Sequence, residues 1–441
     1  MNLSAIKGFR GAFLDFIDDP FYVSELESVR YFPDGLLVIE NGIIQDFGDY
    51  AEMHSKYPNL SITHYRDRLI LPGFIDTHIH FPQTEMIAAY GEQLLEWLHQ
   101  YTFPTERKFK EKSYAKKIAS FFLDELLRNG TTTALVFTTI FPESVDAFFE
   151  AAGDRNLRAI AGKVMMDCNA PDYLKDTAQS SYEETKALIQ KWHKNGRLLY
   201  AVTPRFAATS SEKQLQLAGK LLAEFPDVYL HTHLSENVKE VEWIRELFPH
   251  SQNYLDVYDR AGLVGDRSIF AHGVQLSPAE FKRLSEANSA ISFCPTSNLF
   301  LGSGLFKLQQ AKSQETPIKV GLGTDVGAGT SFSLLQTANE GYKVSQLQGR
   351  KLSSFQALFL ATLGGAKALN LEEKIGNFDV GKEADFIVVN LQATPLMALR
   401  NSGELPQTLA EIGDRTFALM MLGDDRAISA TYILGDRAKI T

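Results

Sequence analysis

The most informative stretch of the 441-residue chain is Pro72-Gly73-Phe74-Ile75-Asp76-Thr77-His78-Ile79-His80. An apolar run of this kind predicts a buried β-strand, which two histidines close at its carboxyl end. Alternate residues of a strand point to the same side, so His78 and His80 would present their imidazoles together. The pair favours a metal site, although an isolated His-x-His pair also occurs by chance on surface strands.

Eight short apolar runs with β-branched or aromatic character lie between residues 70 and 326, separated by segments with helical periodicity. We predict strands at Leu71–His80, Thr131–Thr138, Arg158–Asp167, Leu198–Arg205, Val228–Leu234, Ser268–Gly273, Ala290–Cys294 and Ile318–Asp325. Segments such as Tyr114–Arg128 and Tyr182–Lys194 place apolar residues three and four positions apart, as in helices that cover a sheet. Eight strand–helix units predict an α/β fold, a parallel (β/α)₈ TIM-like barrel.

The two ends of the chain contain strand-like segments and few helical ones. Residues 36–44 predict a hairpin around a tight turn at Asn41-Gly42, and residues 384–389 and 430–436 are strand-like, with a turn at Gly435-Asp436. Because short sheets seldom stand alone, we expect both ends to build one small β-sandwich domain. The predicted organisation is residues 1–69 and 372–441 in the β domain and residues 70–371 in the barrel.

The composition favours a small-molecule partner. The chain has 44 Lys+Arg against 54 Asp+Glu, a formal net charge of −10, and no stretch dense in basic residues. This charge pattern argues against nucleic acid or an anionic membrane as the main partner. Apolar runs fall far short of the roughly 20 residues that span a bilayer, and Met1–Asp18 lacks the layout of a secretory signal. We therefore expect a cytoplasmic protein.

Further histidines and one aspartate close other predicted strands. His231 and His233 end the fifth strand, His272 ends the sixth and Asp325 ends the eighth. Parallel barrels place their active sites at the carboxyl ends of the strands, so these side chains should converge on one rim. Five of the ten histidines of the chain lie at or next to such ends, which favours a metal site over a chance arrangement.

Several motifs resemble those of the amidohydrolase superfamily of metal-dependent hydrolases, and within it those of the guanine deaminases. The motifs are Leu71–Glu106 with His-Phe-Pro-Gln-Thr at 80–84 and Tyr-Gly-Glu-Gln-Leu-Leu-Glu-Trp-Leu at 90–98, Thr203–Phe206, His231–Asn237, Phe293–Phe306 and Gly321–Ser331. The resemblance spans nearly the whole chain. It implies a homodimeric hydrolase of carbon–nitrogen bonds in cyclic amidines, which serves purine salvage or catabolism. In this reaction, zinc-activated water attacks C2 of guanine to give xanthine and ammonia.

The resemblance also implies the metal ligands. It assigns one Zn²⁺ per subunit to His78, His80, His233 and Asp325, with one position left for water, whose pKa the ion lowers to roughly 7. His231 faces the same way as His233, but the family takes one ligand from this strand, so we interpret His231 as a structural neighbour.

A single metal follows from one departure from the wider superfamily. Binuclear members often use a carboxylated lysine at the end of the fourth strand, where this chain has Pro204-Arg205. Lys163, within the third predicted strand, is interpreted as a structural residue rather than a bridging ligand.

Three residues carry the catalytic roles that the resemblance implies. Glu236 lies three positions after His233 and would shuttle protons from the water to the ring nitrogen beside C2 and to the leaving amine. A helix N-terminal glutamate that interacts with the helix dipole is the other interpretation of Glu236. His272 and Asp325 would hold the attacking hydroxide through fixed hydrogen bonds.

Substrate contacts can be inferred from the chemistry of guanine, which presents the O6 and N7 acceptors that an arginine fork satisfies. Arg205 ends the fourth strand, and Phe206 offers a flat apolar face to the purine. Gln83, three residues after His80, would donate and accept at a purine edge. An ordinary surface salt bridge and core packing are the alternatives for Arg205 and Phe206. The substrate site would also include His233, Glu236, His272 and Asp325.

Two other functions stay open on the sequence. The first is another mononuclear deaminase of the superfamily, acting on a pterin, a triazine or adenine. Arg205 argues against adenine, whose N6 amino group would face the guanidinium as an unpaired donor. The second is a catalytically silent scaffold, which the presence of all four ligands and Glu236 disfavours.

Overall fold

The computed structural model describes residues 6–90 and 93–440, so Gly91 and Glu92 of the motif at 90–98 lie outside the described residues. The described part of the chain forms sixteen strands. They are β1 (Lys7–Phe16), β2 (Val29–Glu40), β3 (Ile43–Asp49), β4 (Ser61–Pro72), β5 (Phe74–His80), β6 (Thr131–Phe137), β7 (Arg158–Gly162), β8 (Val164–Met165), β9 (Leu198–Pro204), β10 (Tyr229–Leu234), β11 (Ser268–His272), β12 (Ala290–Phe293), β13 (Lys319–Leu322), β14 (Phe386–Val389), β15 (Ile428–Ile433) and β16 (Asp436–Arg437).

The described part of the chain also forms eighteen α-helices, several of them a single turn long. They are α1 (Glu25–Ser28), α2 (Tyr50–Met53), α3 (Leu94–Trp97), α4 (Phe103–Glu106), α5 (Lys112–Arg128), α6 (Pro142–Asp154), α7 (Ala178–Trp192), α8 (Glu212–Glu224), α9 (Val238–Leu247), α10 (Tyr254–Arg260), α11 (Pro278–Glu286), α12 (Pro295–Phe300), α13 (Leu308–Ala311), α14 (Leu334–Leu347), α15 (Ser354–Leu360), α16 (Leu363–Ala368), α17 (Pro395–Arg400) and α18 (Leu409–Leu422). None of these helices combines the length and the hydrophobicity that a bilayer crossing requires.

Eight of the strands form the nearly closed parallel barrel that the sequence predicts. Their order is β5-β6-β7-β9-β10-β11-β12-β13, with the short β8 paired to β9. The segment after β13 meets β5 through two backbone hydrogen bonds, from Asp325 N to His78 O (2.9 Å) and from His80 N to Val326 O (3.0 Å). Each barrel strand lies inside a predicted run, so the prediction of a (β/α)₈ barrel is confirmed.

Burial explains why these runs are continuously apolar. All seven residues of β5 and all seven of β6 are buried, because a barrel strand packs against side chains on one face and helices on the other. The predicted helices at Tyr114–Arg128 and Tyr182–Lys194 correspond to α5 and α7, whose ends differ from the predicted ones by a few residues.

The remaining seven strands form one mixed sheet, in the order β16-β15-β14-β4-β1-β2-β3. The N-terminal strand β4 pairs antiparallel with the C-terminal strand β14, with Leu71 opposite Ile387. The two ends of the chain therefore build one β domain, as predicted. Its seven strands form one mixed sheet in a single hydrogen-bonded order, whereas the expected β-sandwich consists of two packed sheets.

Two tight turns of this sheet involve left-handed backbone. The hairpin of β2 and β3 turns at Asn41-Gly42, where φ is 54° and 81°, as a two-residue turn of type I′ requires. The turn between β15 and β16 is centred on Leu434-Gly435, where φ is 51° and 74°. This turn lies one residue before the predicted position, because Asp436 already pairs with Ile433.

The chain divides into two compact units. One comprises the N-terminal segment through Ile75, residues 124–132 and the segment from Ser333 onward; the other comprises Asp76–Leu123 and Thr133–Phe332. The carboxyl ends of all eight barrel strands described above belong to the second unit. The domain boundaries that we predict at residues 69/70 and 371/372 stay a prediction.

An aromatic contact in the terminal sheet gives a first testable prediction. The buried ring of Phe386 lies 4.9 Å from that of Phe9 and 4.4 Å from that of Tyr432, measured between centroids. We expect Phe386→Ala to lower the free energy of unfolding by about 3–5 kcal/mol, because it leaves a cavity between these rings. Urea unfolding followed by circular dichroism measures the change. Leu26→Ala, at a side chain that is 83% exposed, is the control, and an equal effect of both variants would contradict the prediction.

Candidate active site

The carboxyl ends of β5 and β10 and the segment after β13 bring ligand-type atoms to one point. Nε2 of His80 lies 3.2 Å from Nε2 of His78 and 3.3 Å from Nε2 of His233. Oδ1 of Asp325 lies 3.2 Å from Nε2 of both His78 and His80. Residues separated by more than 240 positions in the chain thus form one compact cluster. His272 joins it, since its ligand atom lies within 4.8 Å of those of His78 and Asp325.

Burial keeps the imidazoles of His80 and His233 in this cluster neutral. Nδ1 of His233 donates to the backbone carbonyl of Arg205 at 2.6 Å, so its Nε2 presents a lone pair to the cluster. Burial lowers the pKa of His80 to about 3 and that of His233 well below its usual range. Metal ligation requires neutral imidazole, so the cluster can bind a cation at neutral pH.

Asp325 is the negative member of the cluster. Its burial alone would raise the pKa, but the adjacent His78 and His80 hold the pKa of this carboxyl well below its usual range. The backbone is left-handed at Asp325 (φ 50°), as it is at His272 (φ 76°) and Ser235 (φ 48°). Positive φ is uncommon outside glycine, and it is tolerated where the surrounding structure fixes a functional side chain.

His231 and Lys163, the two residues interpreted as structural, differ in position: His231 lies beside the cluster, whereas Lys163 pairs with carboxylates outside it. Nε2 of the fully buried His231 lies 2.7 Å from Nδ1 of His78, on the opposite side of that ring from Asp325. Nζ of Lys163, also fully buried, lies 2.5 Å from Asp176 and 3.3 Å from Glu184. The lysine charge is therefore balanced by these two carboxylates.

Glu236 and His272 face each other next to the cluster. Oε2 of Glu236 lies 3.4 Å from Nε2 of His272, which lies 3.8 Å from Oδ2 of Asp325. Ser303 Oγ donates to Oε1 of Glu236 at 3.3 Å. Burial, together with the negative charge of Asp325, raises the pKa of Glu236 to about 8. Near neutral pH this carboxyl group has both its protonated and its ionised form within reach, so it can release a proton or accept one.

The start of helix α9 explains how Glu236 is positioned. Asn237 is the N-cap residue, and Oε2 of Glu240 accepts hydrogen bonds from the backbone N–H groups of Glu236 (2.8 Å) and Asn237 (3.1 Å). Tyr254 donates to the other oxygen of Glu240 at 2.7 Å. This capping box satisfies the helix end without the side chain of Glu236. The spacing Asn237-x-x-Glu240 is a local sequence signal for a capping box, but Glu240 was not among the residues predicted from the sequence.

A pocket of about 410 Å³, counting the space open at its mouth, lies over this side of the cluster. Its polar lining consists of His80, Gln83, Arg205, His233, Glu236, Glu240, His272 and Asp325. Its apolar lining consists of Leu94, Trp97, Leu98, Phe206, Leu301 and Ala328. The volume and the mixture of apolar walls with a few convergent polar groups are typical of a small-molecule site.

The three residues expected to contact substrate all line this pocket. Arg205 does form a salt bridge, but a buried one: its Nη1 lies 3.0 Å from Oε1 and 2.8 Å from Oε2 of Glu106. Oε1 of Gln83 accepts a hydrogen bond from Gly327 N at 3.2 Å. The ring of Phe206 is 5% exposed and lies edge-on to Trp243, with 6.2 Å between centroids.

The sequence of residues 69–438 matches the amidohydrolase family. This match covers most of the chain and includes every residue of the cluster. The chain belongs to the amidohydrolase family. The prediction of a hydrolase of carbon–nitrogen bonds, made from the motifs, is thereby confirmed.

Relatives of this amidohydrolase include proteins of known structure. The guanine deaminase of Escherichia coli is 54% identical over 98% of this chain and 97% of its own, and its structure superimposes with a TM-score of 0.94. The guanine deaminase of Bradyrhizobium japonicum is 42% identical over 99% of this chain and all of its own, with a TM-score of 0.95. That of C. acetobutylicum, which contains guanine in its active site, is 29% identical over 98% of this chain and all of its own, with a TM-score of 0.88.

The geometry of the cluster fits a bound metal ion. Ligand atoms about 2.0–2.1 Å from a tetrahedral ion are separated from one another by about 3.3–3.4 Å. Four of the separations, those between His78 and His80, His80 and His233, His78 and Asp325, and His80 and Asp325, are 3.2–3.3 Å. Four electron-rich atoms at such distances repel one another unless a cation or protons lie between them, and burial disfavours protonation of the imidazoles. The cluster of this amidohydrolase is therefore able to hold a metal.

Two further residues of the site were missed because no local pattern marks them. Asn298 Oδ1 accepts a hydrogen bond from Nδ1 of His272 at 2.9 Å, which directs Nε2 toward Glu236. Glu106 pairs with Arg205 across 99 positions of sequence. Both lie inside motifs that resemble the guanine deaminases, but their partners become visible only in the folded chain.

We expect His80→Asn to abolish tight metal binding, because His80 contacts three other members of the cluster. Elemental analysis of the purified variant should show less than about one tenth of the wild-type metal content, since metal affinity depends on the full ligand set. His250→Asn, at an exposed histidine outside the cluster, should keep the wild-type content. Equal metal contents in the two variants would contradict this role for the cluster.

Proposed function

We propose that this amidohydrolase is a guanine deaminase, which converts guanine and water into xanthine and ammonia. The observation that carries the proposal is a single pocket that combines the metal-competent cluster, the buried carboxyl group of Glu236 and the guanidinium of Arg205. The full-length relatives named guanine deaminase and the guanine bound in the C. acetobutylicum structure support the same substrate.

In this proposal one zinc ion per chain is held by His78, His80, His233 and Asp325. Three imidazole nitrogens and one carboxylate oxygen form a donor set that suits zinc. When bound, zinc supplies Lewis acidity, which makes water a stronger acid and a better nucleophile at neutral pH. A lysine at the end of the fourth strand would favour two metals, but Arg205 occupies that place. Two metals per chain in elemental analysis would contradict this part of the proposal.

Glu236 is proposed to move both protons of the reaction. Its carboxylate takes a proton from the attacking water and delivers it to the ring nitrogen beside C2. The water oxygen bonds to C2, and Glu236 then passes the proton of the resulting C2 hydroxyl group to the amino nitrogen. The C2–N bond breaks, the C2 carbonyl forms, and ammonia leaves rather than amide ion. A group whose pKa is about 8 can donate and accept near neutral pH, which suits this double role.

His272 and Asp325 are proposed to orient the attacking water. Nε2 of His272 lies between Oε2 of Glu236 and Oδ2 of Asp325, and Asn298 fixes the ring from the other side. Hydrogen bonds fixed before the reaction stabilise developing charge without reorganisation. Removal of one typically raises the barrier by about 3–4 kcal/mol.

Arg205, Gln83 and Phe206 are proposed to select the purine. Glu106 contacts only Nη1 of Arg205, so the other edge of the guanidinium fork is not committed to that ion pair and can donate to O6 and N7 of guanine. Phe206 packs against a flat heterocycle, and Gln83 contacts its edge. Contact of the substrate with His233, Glu236, His272 and Asp325 is part of the proposal, and the place of these four residues in the pocket wall supports it.

The alternatives differ from this proposal in what the pocket selects. A deaminase for another aminated ring would use the same cluster and Glu236 but would not require the buried Arg205 fork. A silent scaffold would require none of these groups. The presence of a raised pKa at Glu236 beside the cluster favours catalysis.

We expect Glu236→Gln to lower the rate of ammonia release from guanine by about 10²- to 10⁴-fold, the usual contribution of a proton-transferring side chain. The variant should keep its metal and its fold, because Gln has nearly the volume of Glu. Glu242→Gln, at an exposed position of the same helix α9, is the matched control. Chelation of the wild type should abolish activity, and wild-type activity in Glu236→Gln would refute the proton-shuttle role.

The role of Arg205 predicts a strong preference for guanine over adenine. In a panel of purines assayed for ammonia, we expect kcat/KM for guanine to exceed that for adenine by about 10²-fold or more, because adenine would leave buried donors unpaired. Arg205→Lys keeps a positive charge beside Glu106 but removes the fork, so it should lower kcat/KM for guanine by about tenfold or more. Comparable turnover of adenine by the wild type would contradict the proposed specificity.

Assembly as a homodimer, which the resemblance implies, and a cytoplasmic location, which the sequence pattern favours, stay predictions. The role in purine breakdown or salvage depends on the proposed activity.

A further inference from the structure

One turn of helix α4 holds the guanidinium of Arg205 from two directions. Glu106 contacts Nη1 with both carboxylate oxygens, and the side chains of the pair are 1% and 3% exposed. Phe103, three residues earlier on the same turn, places its ring centroid 5.5 Å from Cζ of Arg205. A cation this deeply buried requires a compensating charge, and Glu106 provides it.

Glu106 also contacts the second polar side chain proposed to recognise the purine. Nε2 of Gln83 donates to Oε1 of Glu106 at 3.4 Å, while Oε1 of Gln83 accepts from Gly327 N. These two contacts fix which end of the Gln83 amide is the donor and which is the acceptor. One buried carboxylate therefore links both recognition groups, although its own side chain lies behind them.

The pairing also sets the charge of the recognition surface. Arg205 alone would present a full positive charge in a largely apolar pocket, and such a charge attracts anionic ligands strongly. Paired with Glu106, it offers hydrogen-bond donors with little net charge. Guanine is a neutral purine near neutral pH, whereas its deamination product xanthine is more acidic, because its two carbonyl groups stabilise the anion.

We propose that Glu106 is a positioning residue that fixes Arg205 and Gln83 and cancels the charge of Arg205, so that the pocket selects neutral purines over anionic ones. This inference rests on the proposed function, since it requires Arg205 to recognise the O6 and N7 edge. Its consequence is that guanine binds while ionised xanthine is released.

The first test compares two substrates that carry the same amino group at C2. We expect Glu106→Gln, in the metal-loaded full-length enzyme, to lower kcat/KM for guanine by about tenfold or more, mainly through KM. 2-Aminopurine lacks O6, so its smaller kcat/KM should fall less. Glu106→Asp keeps the charge and should recover part of the loss for guanine.

The second test measures product inhibition at a mildly alkaline pH, where xanthine is largely ionised and hypoxanthine is neutral. Loss of the Glu106 charge should strengthen inhibition by xanthine relative to hypoxanthine by about tenfold. A variant that only loosens the structure would weaken both inhibitors alike. Glu106→Asp, which keeps the charge, should leave the ratio close to that of the wild type. If Glu106→Gln fails to fold, a xanthine preference in Glu106→Asp like that expected for Glu106→Gln would overturn the charge argument.

Asp259→Asn is the matched control, because Asp259 forms a two-bond pair with Arg283 (2.6 and 2.7 Å) outside the pocket. It should change neither the substrate comparison nor the inhibitor ratio. Equal losses for guanine and 2-aminopurine in Glu106→Gln, with an unchanged inhibitor ratio, would overturn the inference. Absence of ammonia release from guanine by the wild type would instead reject the proposed function, so the two failures are distinguishable.

Discussion

Mutual repulsion within the buried cluster is the constraint on which the rest of the site depends. His78, His80, His233 and Asp325 bring four electron-rich atoms within 3.2–3.3 Å of a neighbour, and three of these side chains, His78, His80 and Asp325, are buried. A fold that fixes the backbone of several strands can hold such an arrangement. The barrel does so because its parallel strands end on one rim and hydrogen bonds join its first strand to the segment after the last. A cation would convert this repulsion into attraction, so the rigid strand ends that hold the four atoms together also suit them to bind a metal.

The buried environment has opposite effects on the two kinds of titratable group that surround the metal position. It disfavours charge, which lowers the pKa of His80 and raises that of Glu236. The imidazole therefore stays a neutral ligand, and the carboxyl group stays able to carry a proton. Asp325 is the exception, because adjacent histidines outweigh its burial and keep it ionised. One low-dielectric pocket thus supports two carboxyl groups with different protonation states, which is the condition for separate roles in one reaction.

The sequence predicted the barrel well because continuous apolar runs and helical spacing are local signals that burial on both faces imposes. It also predicted which residues gather at the rim, because each histidine can be recognised at the end of its own predicted strand without knowledge of the other strands. The eighth strand shows the limit: it was expected to reach Asp325 but ends at Leu322, and the backbone is left-handed at Asp325, where the side chain joins the cluster. Glu106 was beyond reach for a different reason. No residue in the helical turn of Glu106 indicates that Glu106 forms an ion pair with Arg205, 99 residues later.

The pairing of Arg205 with Glu106 also clarifies why the fourth strand differs from that of binuclear relatives. A carboxylated lysine at this strand end would present a negative group to a second metal, whereas Arg205 presents hydrogen-bond donors to the pocket. The buried lysine of the neighbouring strand, Lys163, is balanced by Asp176 and Glu184 and adds no ligand. In this chain, the residue directly after β9 is Arg205, which lines the proposed substrate pocket, whereas a carboxylated lysine at this position would bind a second metal. In the proposed reaction, the guanidinium would hold the O6 and N7 edge of the ring, while Glu236 would act at C2.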